Sequence, residues 1–192
     1  MTDGDIDCAA DALRDGDLVV YPTETVYGLG ADATDADAVE AVFEAKGRDR
    51  DKPVSLAVPD VETALDYTVP TADERAFMHE FLPGPVTVLV ERKEMVPDVL
   101  TAGGEKVGVR VPDHDLALEL LDVFHPITAT SANVSGTGSV RELAALGEPI
   151  REAAAVLLDG GRTPGGGSTV VDVEAGEIHR RGPLVDEIET WL

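Results

Sequence analysis

The sequence has one cysteine, four histidines and no motif of a covalent catalyst. The lone Cys8 excludes an internal disulfide and cannot form a metal site by itself. The histidines are scattered, without the close spacing that metal ligands show. No Gly-x-Ser-x-Gly motif occurs, and Cys8 has no catalytic context. The sequence therefore does not favour a protein nucleophile.

Long apolar runs are also missing. None approaches the roughly 18 residues that cross a membrane, and the N-terminus is acidic, so we expect a cytoplasmic protein without membrane contact. At 43% hydrophobic residues, the 192-residue chain predicts one domain over 1–192 with a continuous core. Because Cys8 lies within an apolar helical pattern, we expect it to pack on the first helix.

Positive charge is scarce in this chain. Fifteen Lys and Arg face 38 Asp and Glu, which gives a net charge of -23. Such a charge repels phosphate backbones and disfavours nonspecific nucleic-acid binding. An acidic, lysine-poor composition with few aromatic residues is typical of a high-salt cytoplasm, so we expect a halophilic source.

Four of the cations nevertheless lie within seven residues, at Lys46, Arg48, Arg50 and Lys52. Lys46 at the end of a helix is explained by the helix dipole alone. Arg50 lies between two aspartates, which predicts a local ion pair. Lysine and arginine together also suit a phosphate, so an anion site is the competing interpretation.

Apolar periodicity predicts a mixed α/β fold with a twisted, open mixed sheet flanked by helices. The predicted helices are 4–15, 35–46, 60–66, 71–82, 115–124 and 184–191. The predicted strands are 18–21, 53–58, 86–91, 107–111, 126–129, 154–158, 168–173 and 178–180. The last two strands are expected to form a hairpin.

Two loops carry ligand-binding potential. Residues 129–136 place small hydroxyl and amide side chains after a strand, where α/β sheets bind ligands, although a capped turn explains them equally well. Residues 160–168 contain five glycines but match neither a Walker A loop nor Gly-x-Gly-x-x-Gly. Close backbone approach to a ligand, a lid and a solvated loop all remain open for this segment, and the solvated loop is the default.

Seven segments together resemble the YrdC-like family, the L-threonylcarbamoyladenylate synthases, over about residues 5–184. They are Tyr21-Pro-Thr-Glu-Thr-Val-Tyr-Gly-Leu-Gly30, Lys46-Gly-Arg48, Lys52-Pro53, Pro83-Gly-Pro-Val-Thr87, Val109-Arg110-Val-Pro112, Ser131-Ala-Asn133-Val-Ser-Gly136 and Ser168-Thr-Val-Val-Asp172.

The resemblance implies a YrdC-like sheet and a nucleotidyltransferase that condenses ATP, L-threonine and bicarbonate into threonylcarbamoyl-AMP and pyrophosphate. It also implies Mg2+ bound with ATP, no metal site from the protein alone, and a downstream transferase that modifies tRNA. A weak contact with tRNA is a further expectation. Because the chain ends at Leu192, it resembles the short, single-domain form.

The same resemblance assigns the site residues. ATP is expected to contact Lys46, Arg48, Lys52, Ser131, Asn133, Ser139 and Arg180, with Lys46 and Arg48 as electrostatic stabilisers. Threonine is expected to contact Thr25, Arg110 and Ser168. Departures from the family pattern include Lys52, where Asn is frequent, and Lys106, whose role is left open.

Two other functions remain as alternatives. One is an RNA-binding module of the same fold, against which the net charge argues. The other is a paralogue that acts on a different carbamoyl or adenylate substrate, because a fold does not fix a function.

Overall fold

The computed structural model describes residues 3–192 of the chain. Its helices α1 to α8 are Asp3–Arg14, Ala36–Lys46, Val61–Ala64, Ala72–Phe81, Asp98–Thr101, Asp115–Val123, Glu148–Ala153 and Val185–Trp191. Its strands β1 to β9 are Leu18–Tyr21, Gly28–Gly30, Ser55–Ala57, Val86–Glu91, Lys106–Arg110, Ile127–Ser131, Ala154–Leu157, Thr169–Asp172 and Glu177–Arg180. A short 3-10 helix covers Leu143–Ala145.

These strands form one sheet in the order β7-β1-β2-β6-β3-β5-β4-β8-β9. The pairs β1/β7, β3/β5 and β4/β8 are parallel, and the other neighbours are antiparallel. Strands β8 and β9 form the predicted hairpin. The predicted mixed α/β sheet with flanking helices is therefore confirmed.

Local sequence signals fix the ends of the helices. The Asp35 carboxylate accepts hydrogen bonds from the backbone N–H groups of Asp37 and Ala38 at the start of α2. Gly47 ends α2 at φ 54°, a left-handed conformation that favours glycine. Helix α4 begins with a complete capping box between Thr71 and Glu74.

Alternation along β1 divides the helices between the two faces of the sheet. Val19 and Tyr21 pack in a cluster with α1 and α6, whereas Leu18 and Val20 pack in another with α2 and α7. Successive side chains of a strand point to opposite faces, so a four-residue strand serves both clusters.

The same alternation positions the site on the central strands. Val107 and Val109 of β5 are buried in the largest core cluster, which also includes Phe77 of α4. Gly108 and Arg110 alternate with these two valines along the strand and point to the opposite face, where they line a cavity. The fold therefore leaves one stretch of the central sheet open to a ligand.

Several local predictions were wrong. Cys8 is exposed, because it lies about 200° around α1 from Ile6, whereas Ala9, Ala10 and Leu13 share the buried face. Strand β2 was missed because Gly28 and Gly30 disfavour a strand. These glycines are needed there because a Cβ on Gly28 would lie 2.7 Å from the Tyr21 ring. Helices α5 and α7 were also missed, since each is short.

In the part of the chain that the structure describes, no helix combines the length and apolar character that membrane crossing requires.

Candidate active site

A cavity of about 490 Å³ lies over strands β3, β5, β4 and β8. Its floor includes Ser55, Thr87 and Gly108, which alternate with core residues along their strands. Glycine is required at 108, because a Cβ there would lie 2.3 Å from Ser55 Oγ and 2.8 Å from Thr87 Cγ2. The volume suits a small-molecule ligand of nucleotide size.

The cavity has a charge opposite to that of the whole chain. Of the residues that the structure describes, no Asp or Glu lines it, although the sequence has 38 acidic residues. Four cations line it instead: Arg48, Lys106, Arg110 and Arg180. A concave site with one sign of charge concentrates ligands of the other sign, so the cavity favours an anion.

Arg110, at the end of β5, is held by the segment that follows β1. Its Nη2 donates to Glu24 Oε1 at 2.7 Å and to Thr25 Oγ1 at 3.1 Å. Thr25 Oγ1 in turn lies 2.9 Å from Thr23 Oγ1. Thr25 and Arg110, both predicted for threonine, are thus in direct contact.

Arg180 and Ser168 are joined by two hydrogen bonds. Arg180 Nε donates to the Ser168 carbonyl oxygen and Nη2 donates to Ser168 Oγ, each at 2.7 Å. Ser168 Oγ also lies 2.8 Å from Thr87 Oγ1. Strand β9 therefore carries Arg180 to the residue that precedes β8, at the wall of the cavity.

Arg48 and Arg180 face the cavity without a carboxylate partner among the described residues. Arg48 donates only to the carbonyl oxygens of Lys52 and Pro53. Burial lowers the pKa of Arg48. The pKa of Arg180 is also lowered, first by burial and then by the positive charges of Arg110 and Arg48. Cations that repel one another are stabilised when an anion binds between them.

Lys46 lies behind the cavity wall instead of lining it. Its Nζ donates to the carbonyl oxygens of Ser131 and Asn133, and the second of these bonds measures 2.8 Å. Lys46 is 1% exposed, and burial lowers its pKa to about 8, with a smaller effect from Arg48. It fixes the backbone after β6 against the end of α2.

Asn133 and Lys52 also do not line the cavity. Asn133 Nδ2 donates to the carbonyl oxygens of Val134 and Thr137, so the amide builds the turn after β6. Lys52 Nζ pairs with Asp49 at 2.6 Å on the surface. Seven of the ten predicted contacts do line it: Thr25, Arg48, Arg110, Ser131, Ser139, Ser168 and Arg180.

The predicted ion pair of Arg50 exists, but its partners are not the neighbouring aspartates. Arg50 Nη2 lies 2.5 Å from Glu40 and 3.9 Å from Glu44, both on α2. These glutamates lie on the exposed side of the preceding helix, which the chain folds back to meet. Arg50 therefore belongs to the surface.

The glycine-rich loop is largely exposed, in agreement with its interpretation as a solvated loop, but hydrogen bonds tie it to neighbouring segments at three points. Tyr27 Oη bonds Gly160 N and Gly161 O, at 3.1 and 2.7 Å. Thr163 N donates to the Arg141 carbonyl oxygen at 2.8 Å, and Gly165 N donates to the Thr25 carbonyl oxygen at 2.7 Å. Gly166 and Gly167 then line the cavity.

Lys106 lies in an ion-pair network at the edge of the cavity. Its Nζ is 2.8 Å from both Asp172 and Glu174, and 3.9 Å from Glu74. Among the described residues, these three carboxylates form the one group spaced for a metal ion. The ammonium of Lys106 already lies among them, which gives Lys106 a structural role.

The family model described as "Telomere recombination", which covers Sua5, YciO and YrdC, matches residues 11–182. The chain belongs to the Sua5/YciO/YrdC family.

Members of this family resemble the chain in sequence and structure. A threonylcarbamoyl-AMP synthase of Pyrococcus abyssi is 42% identical over 86% of this chain and 49% of that protein. A putative threonylcarbamoyl-AMP synthase of Mycobacterium tuberculosis is 38% identical over 93% of this chain and 84% of that protein. The crystal structure of P. abyssi Sua5 complexed with L-threonine superimposes with a TM-score of 0.91, at 39% identity, over 97% of this chain and 57% of that one.

The chain spans about half the length of the P. abyssi protein. The whole of the matched region, 11–182, contains every strand of the sheet and every cation that lines the cavity. The family resemblance therefore covers the complete cavity.

Three residues at the site were not predicted from the sequence. Glu24 and Thr23 support Arg110 and Thr25, and Thr87 supports Ser168. All three lie within the segments that carry the family resemblance. Alternation along β4 would have placed Thr87 on the same face as the cavity.

Proposed function

We propose that this chain is a threonylcarbamoyl-AMP synthase, which condenses ATP, L-threonine and bicarbonate and releases pyrophosphate. The observation that carries the proposal is a cation-lined cavity without acidic lining, in a chain of net charge -23. Within it, Arg48 and Arg180 lack carboxylate partners, and Arg110 lies beside Thr25. The names of the relatives supply the identities of the two substrates.

The proposed chemistry needs no protein nucleophile. The threonine amine takes up bicarbonate as a carbamate with loss of water, and a carbamate oxygen attacks the α-phosphorus of ATP. The new P–O bond forms as the bond to pyrophosphate breaks. The protein supplies position and charge for this in-line displacement, as phosphoryl-transfer sites generally do.

Each half of the cavity has a task in this scheme. Arg48 and Arg180 hold the triphosphate, whose negative charge relieves their mutual repulsion. Arg110 and Ser168 hold the threonine carboxylate, and Thr25 contacts the same substrate. Ser131 and Ser139 contact the nucleotide, while the buried Lys46 fixes the Ser131 backbone.

Mg2+ belongs to this proposal as a companion of ATP. The described lining offers hydroxyl and carbonyl oxygens but no carboxylate, and carboxylates are the ligands with which proteins usually hold Mg2+. The ion therefore fits as a complex with the phosphate oxygens, whose charge it neutralises. No residue of this chain is assigned as its ligand.

The wider setting follows from the same proposal. The product would be consumed by a transferase that modifies tRNA in the cytoplasm of a halophile. The net charge of -23 disfavours a strong direct contact with tRNA, so any such contact is expected to be weak.

Turnover with single amino acids tests the proposal. The protein is incubated with ATP, Mg2+, bicarbonate and one amino acid at high salt, and pyrophosphate and the adenylate are measured, the latter by mass. Threonine-dependent pyrophosphate release with threonylcarbamoyl-AMP supports the synthase. Turnover with another carbamoyl or amino-acid substrate supports the paralogue, and RNA binding without turnover supports the RNA-binding module; either result contradicts the proposal.

A further inference from the structure

The four cations of the cavity fall into two groups: two have a carboxylate partner and two have none. Lys106 pairs with Asp172 and Glu174, and Arg110 pairs with Glu24. In contrast, Arg48 and Arg180 donate only to carbonyl and hydroxyl oxygens. The positive charge that remains available to a polyphosphate is therefore concentrated at Arg48 and Arg180.

The pair of Arg110 and Glu24 is inside the protein. The Arg110 side chain is 11% exposed and that of Glu24 is 14% exposed, so solvent and salt screen their charges weakly. Arg110 lines the cavity, and Glu24 contacts it from behind the lining. A ligand at Arg110 thus meets a positive charge with a fixed negative charge next to it.

This pair also limits how Arg110 can bind an anion. Both hydrogens of Nη2 are engaged, one by Glu24 Oε1 and one by Thr25 Oγ1. A guanidinium binds a carboxylate or phosphate through two nitrogens, and Nη2 takes part in both of its two-nitrogen edges. Arg110 can therefore offer a carboxylate or a phosphate hydrogen bonds from one nitrogen only, which suits a single carboxylate oxygen better than a polyphosphate.

We propose that Glu24 makes the Arg110 end of the cavity selective for a zwitterion, an α-amino acid, over a plain carboxylate or a phosphate. The inference rests on the proposed function and assigns Glu24 the task of separating its two substrates. Arg110 attracts the carboxylate of the amino acid, and the charge of Glu24 attracts its ammonium group. A phosphate gains the first interaction only and is repelled by the second.

The proposal requires the charge of Glu24, not a direct contact with the ligand. The amino and carboxylate groups of an α-amino acid are about as close together as the charges of Arg110 and Glu24. The amino acid can therefore bind with its carboxylate towards Arg110 and its ammonium group towards Glu24, so that opposite charges face each other. A polyphosphate has no positive group to offer and is left to Arg48 and Arg180. Discrimination then comes from a repulsive element as well as an attractive one.

The test compares two ligands that differ by the amino group. L-Threonine and 3-hydroxybutyrate share a carboxylate and a β-hydroxyl, and their dissociation constants are measured by calorimetry for the wild-type protein and Glu24→Gln. We expect the wild-type protein to prefer threonine, and Glu24→Gln to reduce that preference roughly tenfold or more. Threonine affinity should fall, whereas 3-hydroxybutyrate affinity should stay or rise.

Phosphate competition gives a second readout, which a loss of packing would not produce. In Glu24→Gln, inorganic phosphate should compete with threonine, because the repulsive charge has gone; in the wild-type protein it should not. Glu40→Gln is the matched control, since it removes a carboxylate from an arginine outside the cavity. It should leave both ligands and the phosphate effect unchanged.

The results separate the two proposals. An unchanged preference in Glu24→Gln, or an equal loss of both ligands, overturns the role of Glu24 even if the protein is an active synthase. A reduced preference with new phosphate competition supports the role, even if the turnover assay shows a different amino-acid substrate. If the wild-type protein binds both ligands equally, or neither, the role of Glu24 fails as well.

Discussion

Lys46 and Asn133 meet across 87 residues of sequence, with Lys46 Nζ donating to the Asn133 carbonyl oxygen at 2.8 Å. The same Nζ also donates to the carbonyl oxygen of Ser131, a residue that lines the cavity. A buried cation thus organises the backbone at the end of β6, beside the cavity, without lining the cavity itself. Removing one partner of such a buried network is costly.

The pKa of Lys46 gives a pH test of this arrangement. Burial lowers that pKa from 10.5 to about 8 in the folded protein, so the unfolded chain binds more protons between these values. The cost of burying the charge is fully present below pH 8 and is relieved as the pH rises toward 10.5. From pH 7 to 9.5, wild-type stability should therefore gain about 2 kcal/mol relative to Lys46→Met.

Denaturant unfolding of both proteins at each pH measures this difference, in which the titration of other groups largely cancels. A difference that does not change between pH 7 and 9.5 would show that Lys46 is not desolvated in the folded protein.

The Tyr27 hydroxyl should hold the glycine-rich loop in place. Tyr27→Phe removes the partner of Gly160 N and Gly161 O, and we expect a loss of about 1–2 kcal/mol of stability. Hydrogen exchange at 160–167 should become faster. Tyr67→Phe, whose hydroxyl makes one 3.3 Å bond to His125 O outside this loop, is the control. Equal exchange in both variants would argue against the anchor.

Lys52 and Arg48 should contribute unequally to ATP binding, although the sequence predicted both as contacts. Lys52 is paired with Asp49 on the surface, where such pairs matter little, so Lys52→Ala should change the KM for ATP less than about twofold. Arg48 lines the cavity, and Arg48→Ala should raise the KM for ATP at least about tenfold. Equal effects in initial-rate measurements would restore the sequence-based assignment of Lys52.

Stability should increase with salt. A net charge of -23 repels itself within the folded chain, and screening at molar KCl reduces the range of that repulsion to about 3 Å. The thermal unfolding midpoint should therefore rise steeply from 0.1 to 3 M KCl. Sucrose at matched osmolarity is the control for solute exclusion, and a midpoint independent of KCl would contradict a high-salt origin.

Most of the fold could be predicted from local sequence signals. Strand β4, Val86–Glu91, matches its predicted bounds, because a β-branched run follows a rigid Pro-Gly-Pro turn. Helix α2, Ala36–Lys46, matches its predicted range of 35–46 to within one residue, because Asp35 and Gly47 cap its ends. Strand β2 could not be predicted, since its glycines are required by the Tyr21 ring, which is a tertiary contact.

The site was less predictable, because sequence order shows which residues share a face of a strand or helix but not which distant residues that face meets. The seven segments identify the cavity, but the pairing of Glu24 with Arg110, 86 residues apart, follows from the strand order. Lys46 belongs to a short cluster of cations in sequence, yet helix α2 turns it inward to the carbonyl oxygens of another loop. Charge alone did not distinguish these positions.

Initial-rate kinetics of Arg48→Ala and Arg110→Ala, with ATP and threonine varied separately, test most directly that the cavity has two substrate halves. We predict that Arg110→Ala raises the KM for threonine roughly 10- to 100-fold, because a hydrogen bond between charged groups is lost. The KM for ATP should change little. Arg48→Ala should show the reverse. Equal changes in both KM values for either variant would contradict a divided site.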